Sequence, residues 1–351
     1  MGKLIRFEYP LSVTCFDGAL EIMKRFQRFL SLTAIIGVIV LGTPLVQGDD
    51  PIDEARQGLR HELLRLINRD RARFGLTPVQ LDPYASGLAD AYCERQIRYR
   101  TTGHFTVDGE APYMRYSFAG GNDGVSENAA AWSANYRFTE RTVFELMRQS
   151  EEAMMAEVAP HDGHRQTILD PAATHVGIGL AWEGGEFRLT QEFVRRYVQW
   201  TRPLPRAATT GERVLCSGRP VSGYRVEAVT VHREPLPQPL MAHVANLISA
   251  YSLPDLRREY LPRLGMRRWL DRDGTEHEAR EEYTDGRKGD FQLDRDGGFA
   301  FAVPLLDGPG VYTVVVWVRK DGASQPISAS NISIRVDHPE TRISTASLGS
   351  R

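Results

Sequence analysis

Three histidines, His161, His164 and His175, lie within residues 159–193 of a chain of 351 residues. A neutral imidazole binds zinc, and because its pKa lies at about 6.5 it also acts as a general acid or base near neutral pH. A histidine on a solvated surface does neither. The chemistry of this segment therefore depends on which acidic side chains or further histidines the fold places beside each ring.

Several familiar catalytic motifs are missing from the sequence. It has no Gly-x-Ser-x-Gly nucleophile turn, no His-Glu-x-x-His pair and no glycine-rich loop for phosphates or dinucleotides. The segment DRDGTEHEAREE, from Asp271, begins like a calcium loop but has Glu276 where the turn requires glycine, so it predicts a charged hairpin tip. Four separate residues remain as candidates for chemistry: His104 in TTGHFT, Glu127 in GVSENAAAW, Glu157 in AMMAEVAP and His164 in DGHRQTIL.

The composition argues against a nucleic-acid partner. The chain has 43 lysines and arginines against 45 aspartates and glutamates. Proteins bind phosphate backbones through an excess of positive charge, which this balance does not provide. With 42% hydrophobic and 25% charged residues, the chain has the composition of a globular protein, and its length is sufficient for two domains.

A basic and then apolar segment near the N-terminus predicts export. The basic stretch MKRFQR, residues 23–28, precedes an uncharged run over residues 29–48. This charge order places the basic end in the cytoplasm and the residues that follow outside. Residues 1–48 therefore predict an N-terminal lead with either a cleaved signal peptide or an uncut membrane anchor. In both cases the folded domains are extracellular.

Helical patterns dominate the first half of the chain and then give way to strands. Apolar residues recur at helical spacing in three segments before residue 160. Asp82 and Pro83 suit the cap and the first position of the second of these helices. Farther on, two apolar runs flank Gly184 and Gly185, which predicts a β-hairpin. Helices followed by a late antiparallel sheet indicate an α+β domain.

The second half of the sequence reads almost entirely as strands. Residues 199–213 are rich in proline and threonine without periodicity, and predict a linker. Residues 214–337 contain alternating runs separated by glycine turns, and predict an immunoglobulin-like β-sandwich. Residues 338–351 predict a loose tail. Cys93 and Cys216 are too few for a disulfide framework, and a bridge between them stays an open alternative.

The order of several short motifs resembles the CAP superfamily, also called SCP domains. These motifs are LINRDRARFGLTPVQLDP, SENAA, GHRQTILDP, HVGIGLA and QEF, and the resemblance covers about residues 56–198. The family includes plant pathogenesis-related proteins, cysteine-rich secretory proteins, venom allergens and many bacterial exported forms. The resemblance implies an α-β-α sandwich over residues 52–198.

The resemblance also implies a cavity with two histidines and two acids. His104, Glu127 and His164 match the family positions directly. Glu157 matches less closely, because Met154 replaces the tryptophan that lies three residues before the second acid in other members. The cysteines of the animal and plant members are absent, so their disulfides do not transfer. Residues that could reach or replace members of the cavity are His161, Arg165, Glu151 and Glu152.

Two imidazoles and a carboxylate are ligands that suit Zn²⁺ or another divalent cation, with a position left for water. The leading interpretation is a binding module with a groove for an apolar molecule, a peptide or a cell-envelope component. One alternative is a metal-assisted hydrolase, in which a carboxylate takes a proton from the bound water. A second alternative is a surface adhesion protein that acts through its β-sandwich. A fourth interpretation of the His and Glu residues is that they pair with each other and only stiffen the loops.

Overall fold

The computed structural model describes residues 2–6 and 51–339. The predicted export segment, residues 29–48, lies outside this part of the chain, as does nearly all of the predicted tail. Among the described helices, none combines the length and the apolar character needed to cross a membrane.

The first domain is built on a six-stranded sheet of order β10-β1-β3-β5-β4-β2, in which β10 (Ala250–Tyr251) comes from the second half of the chain. The long central strands β3, β5 and β4 are antiparallel, and the predicted hairpin joins β4 to β5 through Gly184. Asp82 caps α2 as predicted, since its carboxylate accepts the N–H of Ala85. The elements are β1 (Gly2–Arg6), α1 (Pro51–Arg73), β2 (Gln80–Leu81), α2 (Pro83–Tyr99), α3 (Pro112–Phe118), β3 (Gly124–Ser133), α4 (Glu140–Met155), α5 (Gly163–Ile168), β4 (His175–Glu183) and β5 (Glu186–Arg195).

Helices cover both faces of this sheet. Gly177 and Gly179 of β4 face α2 so closely that a Cβ on Gly179 would lie 2.2 Å from the carbonyl carbon of Ala89. Because side chains alternate along a strand, Ile178 and Leu180 point the other way, into a core shared with α1 and α4. The predicted α-β-α sandwich is therefore confirmed.

The second domain is a two-sheet sandwich, as predicted. One sheet has the order β11-β9-β15-β17-β7 and the other the order β14-β8-β6, and their inner side chains form a single apolar core. The predicted charged hairpin tip joins β12 to β13. The elements are β6 (Val198–Arg202), β7 (Ala207–Thr209), β8 (Arg213–Pro220), β9 (Tyr224–Glu234), α6 (Ala242–Ala245), β10 (Ala250–Tyr251), β11 (Leu256–Tyr260), β12 (Met266–Leu270), β13 (Glu276–Arg280), β14 (Phe299–Pro304), β15 (Gly310–Lys320), β16 (Ile327–Ser328) and β17 (Ile332–Asp337).

Residues 199–213, for which the sequence predicts a linker, are part of the sandwich. They contain most of β6, which pairs with β8, and all of β7, which pairs with β17. Pro203 and Pro205 lie between these two edge strands, where the chain crosses from one sheet to the other. Strands of five and three residues are too short to show an alternating pattern, so the prolines between them led to the prediction of a linker.

The two domains share buried hydrogen bonds. Asn331, just before β17, accepts the N–H of Val125 and donates to its carbonyl at 3.2 and 3.0 Å. Ser117 of α3 donates to the carbonyl of Asn331 and accepts the N–H of Ser333. Cys93 and Cys216 form no bridge between the domains, because both are free thiols, each buried in its own domain.

Candidate functional site

His104 and Glu127 form a completely buried pair. His104 lies in the loop between α2 and α3, and Glu127 lies in β3. Nδ1 of the imidazole is 2.8 Å from Oε1 of the carboxylate, and both side chains are 0% exposed. When Glu127 is ionised it accepts a hydrogen bond from Nδ1, which fixes the tautomer and the orientation of the ring.

A buried arginine and a second carboxylate complete this pair. Arg115 of α3 donates from Nη2 to the other oxygen of Glu127 and, at 3.4 Å, to Glu192. Its guanidinium also lies over the ring of Tyr92, 3.5 Å from the centroid. Glu192 lies opposite Glu127 in the pairing of β3 with β5. One positive charge therefore faces two buried carboxylates.

Burial and shared charge set the protonation of this cluster. Burial raises the pKa of Glu127 to about 7, although Arg115 favours the ionised form. Burial, and next the charge of Glu127, raise the pKa of Glu192 well above its ordinary value. Arg115 stays charged because Glu127, Tyr92 and Glu192 together outweigh the effect of burial on its pKa. Glu192 is thus the carboxyl that keeps its proton.

His164 and Glu157 form a second pair. His164 lies in the first turn of α5 and is 0% exposed, whereas Glu157, just after α4, is 14% exposed. Oε1 of Glu157 is 2.6 Å from Nδ1 of the ring, and its Oε2 accepts the backbone N–H of His164 at 2.9 Å. Two contacts from one carboxylate hold both the backbone and the ring of His164.

The other residues named from the sequence lie at the margin of these pairs. Arg165 donates from Nη1 to the backbone carbonyl of Glu157 at 3.4 Å, and its guanidinium lies over the ring of Phe74 at 5.3 Å. His161 is exposed. Glu152 forms a surface ion pair with Arg148. His175 contacts Thr174 and Arg196 at the start of β4, and burial lowers its pKa.

A buried polar network supports His164 from the sheet. Asn128 donates from Nδ2 to the carbonyl of His164 at 3.1 Å and to Gln191 at 3.2 Å. Gln191 in turn donates to Oε2 of Glu151 at 2.6 Å. Glu151, an alternative for the second acid, thus reaches His164 only through two amides. Burial raises the pKa of Glu151 to about 8.

We expect the Glu151→Gln variant to flatten the pH dependence of stability. The folded protein holds a proton on this carboxyl up to about pH 8, whereas the unfolded chain releases it near the ordinary value of 4.5. Stability from Glu151 is therefore complete below pH 4.5 and is lost as the pH rises through 8, by at most about 1.4 kcal/mol per pH unit. Urea unfolding of both proteins across this range measures the difference. Parallel pH profiles would contradict the assignment.

The two His–Glu pairs lie on opposite faces of the sheet at its β3 end. Glu127 pairs with Glu192 of β5, which pairs in turn with Gly177 of β4. Residues in register share a face of the sheet, and Gly177 faces α2, so Glu127 lies on the α2 face. Asn128, the next residue, therefore points to the opposite face, where it contacts His164. The edge of β3 runs between the two pairs.

This arrangement does not fit a zinc centre with four protein ligands. Both oxygens of Glu127 and both of Glu157 already contact other protein groups, so the carboxylates orient the imidazoles instead of offering ligands. Within residues 2–6 and 51–339, no three histidine, cysteine or acidic side chains come together in a metal-binding group. Structural zinc needs four ligands and catalytic zinc commonly three. Zinc binding stays a prediction of the sequence.

Residues 64–193 match the family model described as the cysteine-rich secretory protein family, CAP. No curated protein matches the sequence. Among solved structures, the chain is similar to an extracellular protein containing an SCP domain from Bacillus anthracis str. Ames. That similarity has 19% identity and a TM-score of 0.30, and it covers 43% of this chain and 45% of the other. The match thus spans less than half of that relative.

The family match identifies the α-β-α domain as a CAP domain, which confirms the resemblance seen in the sequence. It includes both His–Glu pairs and the Glu192 carboxyl, and it ends before the sandwich begins. The chain therefore combines a CAP domain with a second, all-β domain.

Proposed function

We propose that the chain is an exported binding module whose CAP domain holds an extended peptide along the edge of β3. Export rests on the basic and apolar pattern of residues 23–48. The peptide-binding role rests on the position of one strand, β1, between the two His–Glu pairs.

Strand β1 supports this proposal because its pairing with β3 is the contact that an extended peptide would make in the exported protein, in which cleavage or the membrane separates residues 2–6 from the folded domains. Its residues 4–6 pair in parallel with residues 129–131 of β3. On its other side it pairs with β10, and it also lies against α5, the helix that carries His164. A strand at this position is therefore in contact with elements from both domains.

An unpaired strand edge attracts another strand. Backbone N–H and C=O groups along an edge need partners, and strand addition is a common way to bind an extended peptide. If residues 1–48 are removed on export, residues 129–131 of β3 keep β5 as a partner on one side and lose β1 on the other. The three alanines there, 129–131, have short side chains that do not obstruct an incoming backbone.

We expect the processed chain, residues 49–351, to bind a peptide with the sequence of residues 1–10. The peptide MGKLIRFEYP, labelled with a fluorophore, is titrated with protein and followed by anisotropy. A matched peptide with N-methyl groups on alternate residues keeps every side chain but cannot pair as a strand. We expect its affinity to be at least about tenfold lower, since several backbone hydrogen bonds are lost. Equal binding of the two peptides, or no binding of either, would overturn the proposal.

The hydrolase alternative is favoured by the two carboxylate-oriented imidazoles, each of which is suited to accept a proton. Mass spectrometry of the same peptide after incubation with the protein separates the two functions. A binding module returns the peptide intact. A hydrolase returns fragments, and the His104→Ala and His164→Ala variants would then lose cleavage while remaining folded.

A further inference from the structure

A long connection of the second domain lies across the CAP domain. Residues 235–253, here called the strap, form most of the connection from β9 to β11 and include α6 and β10. Leu236 and Leu253 pack in one apolar cluster with Tyr113 and Met114 of α3. The strap is thus attached to the helix that follows the loop carrying His104.

The strap holds the beginning of that loop through Asn246. Its Oδ1 accepts the N–H of Thr102 at 2.7 Å, and its Nδ2 donates to the carbonyl of Arg100 at 3.2 Å. Arg100 ends α2 with φ of 54°, a left-handed conformation that is unfavourable for a residue other than glycine. Asn246 therefore stabilises a backbone turn that is unfavourable by itself and lies four residues before His104.

The strap also holds the middle of the loop. Leu240 donates its N–H to the carbonyl of Val107 at 2.7 Å. Gly109, with φ of 82°, lies so close that a Cβ there would be 2.4 Å from the carbonyl oxygen of Gln238. Contacts on both sides of His104 thus come from the second domain.

Tyr251 reaches the His104–Glu127 pair itself. Its hydroxyl oxygen accepts the backbone N–H of Glu127 at 2.6 Å. Its ring meets the ring of His104 edge-on, with centroids 5.0 Å apart. Tyr251 therefore contacts both members of the pair from the side of the second domain.

We infer that the strap is a positioning element for the CAP site, with Asn246 and Tyr251 as positioning residues. The histidine loop is held in its conformation by the second domain, so the site belongs to both domains. Loss of either side chain frees the loop without removing any group of the two His–Glu pairs.

Hydrogen exchange of the full chain tests this inference without any ligand. We expect the Asn246→Ala variant to speed amide exchange in residues 100–111 by about tenfold, because two hydrogen bonds to the loop are lost. Tyr251→Phe keeps the ring and removes only the hydroxyl, so it should speed exchange of the Glu127 amide. Asn246→Asp retains an acceptor for Thr102 and should restore part of the protection.

Arg206→Ala is the matched control. Arg206 of the second domain donates to Gly120, Gly121 and Asn122, so the variant loses contacts between the domains but none to residues 100–111. Exchange of the loop should match the wild type in this variant. If Asn246→Ala leaves the loop protected, or if Arg206→Ala exposes it equally, the strap does not position the loop.

Peptide affinity gives a second readout, and this one rests on the proposed function. We expect Asn246→Ala and Tyr251→Phe to weaken binding of the residue 1–10 peptide several-fold, and Arg206→Ala to leave it unchanged. If the peptide binds none of the proteins, the proposed function fails while the exchange result still decides the role of the strap. If the peptide binds all variants equally, positioning by the strap is overturned and the binding proposal stands.

Discussion

Replacing Arg115 with methionine is expected to destabilise the protein by about 3–5 kcal/mol, the cost of leaving a buried charge without its partner. Among the described residues, Arg115 is the one cation in contact with both Glu127 and Glu192. Its guanidinium lies over the ring of Tyr92. Methionine fills a similar volume but cannot neutralise a carboxylate. Guanidinium unfolding of the two proteins at about pH 8.5, above the pKa of about 7 of Glu127 in the wild type, measures the difference.

A surface arginine and a double variant control this experiment. Arg148→Met removes an arginine that also pairs with two glutamates, but on the exposed side of α4, so it should cost less than about 1 kcal/mol. Adding Glu127→Gln to Arg115→Met should recover part of the lost stability, since the uncompensated charge is then removed. If the two losses simply add, the charge pairing is not what stabilises the cluster.

Replacing Gly179 with alanine is expected to destabilise the CAP domain by about 1–3 kcal/mol through overpacking. The new Cβ would lie 2.2 Å and 2.5 Å from backbone atoms of Ala89 in α2, and no side-chain rotation relieves a clash with backbone. The helix must therefore shift away from β4. Thermal or urea unfolding measures the loss.

Gly58→Ala makes the same chemical change, but we expect it to raise the stability of the protein. Gly58 lies inside α1, where an added Cβ would meet no atom within 4 Å. Alanine there should stabilise the protein by about 0.5–1 kcal/mol, because glycine is the more costly residue in a helix. A similar loss in both variants would show that close packing of β4 on α2 is not the cause.

The sequence was informative where the signal is local. Asp82 and Pro83 predicted the start of α2, and two glycines predicted the hairpin of β4 and β5. Other local signals are the glycines at alternate positions of β4 and the short motifs around His104 and His164. Each of these can be recognised from a few neighbouring residues. The family resemblance then supplied the order of these parts.

Residues that depend on pairing between distant segments were missed. Glu192 lies within the QEF motif, but its role depends on its register opposite Glu127, and that pairing leaves no local trace. Asn128 and Gln191 were missed for the same reason. Tyr251 lies in a segment without clear periodicity, and only the packing of one domain on the other brings it to the site.

The bonds of Asn331 to Val125 have a consequence for the timing of folding during synthesis. These residues are 206 positions apart, and Asn331 lies close to the last described strand. Because contacts so distant in sequence form late, we expect α3 and the start of β3 to reach their final packing only when almost the whole chain has been translated, whereas the core formed by residues 59–193 can form earlier. A chain that completes its packing late stays partly unfolded for longer. Secretion channels that transport unfolded chains accept that form.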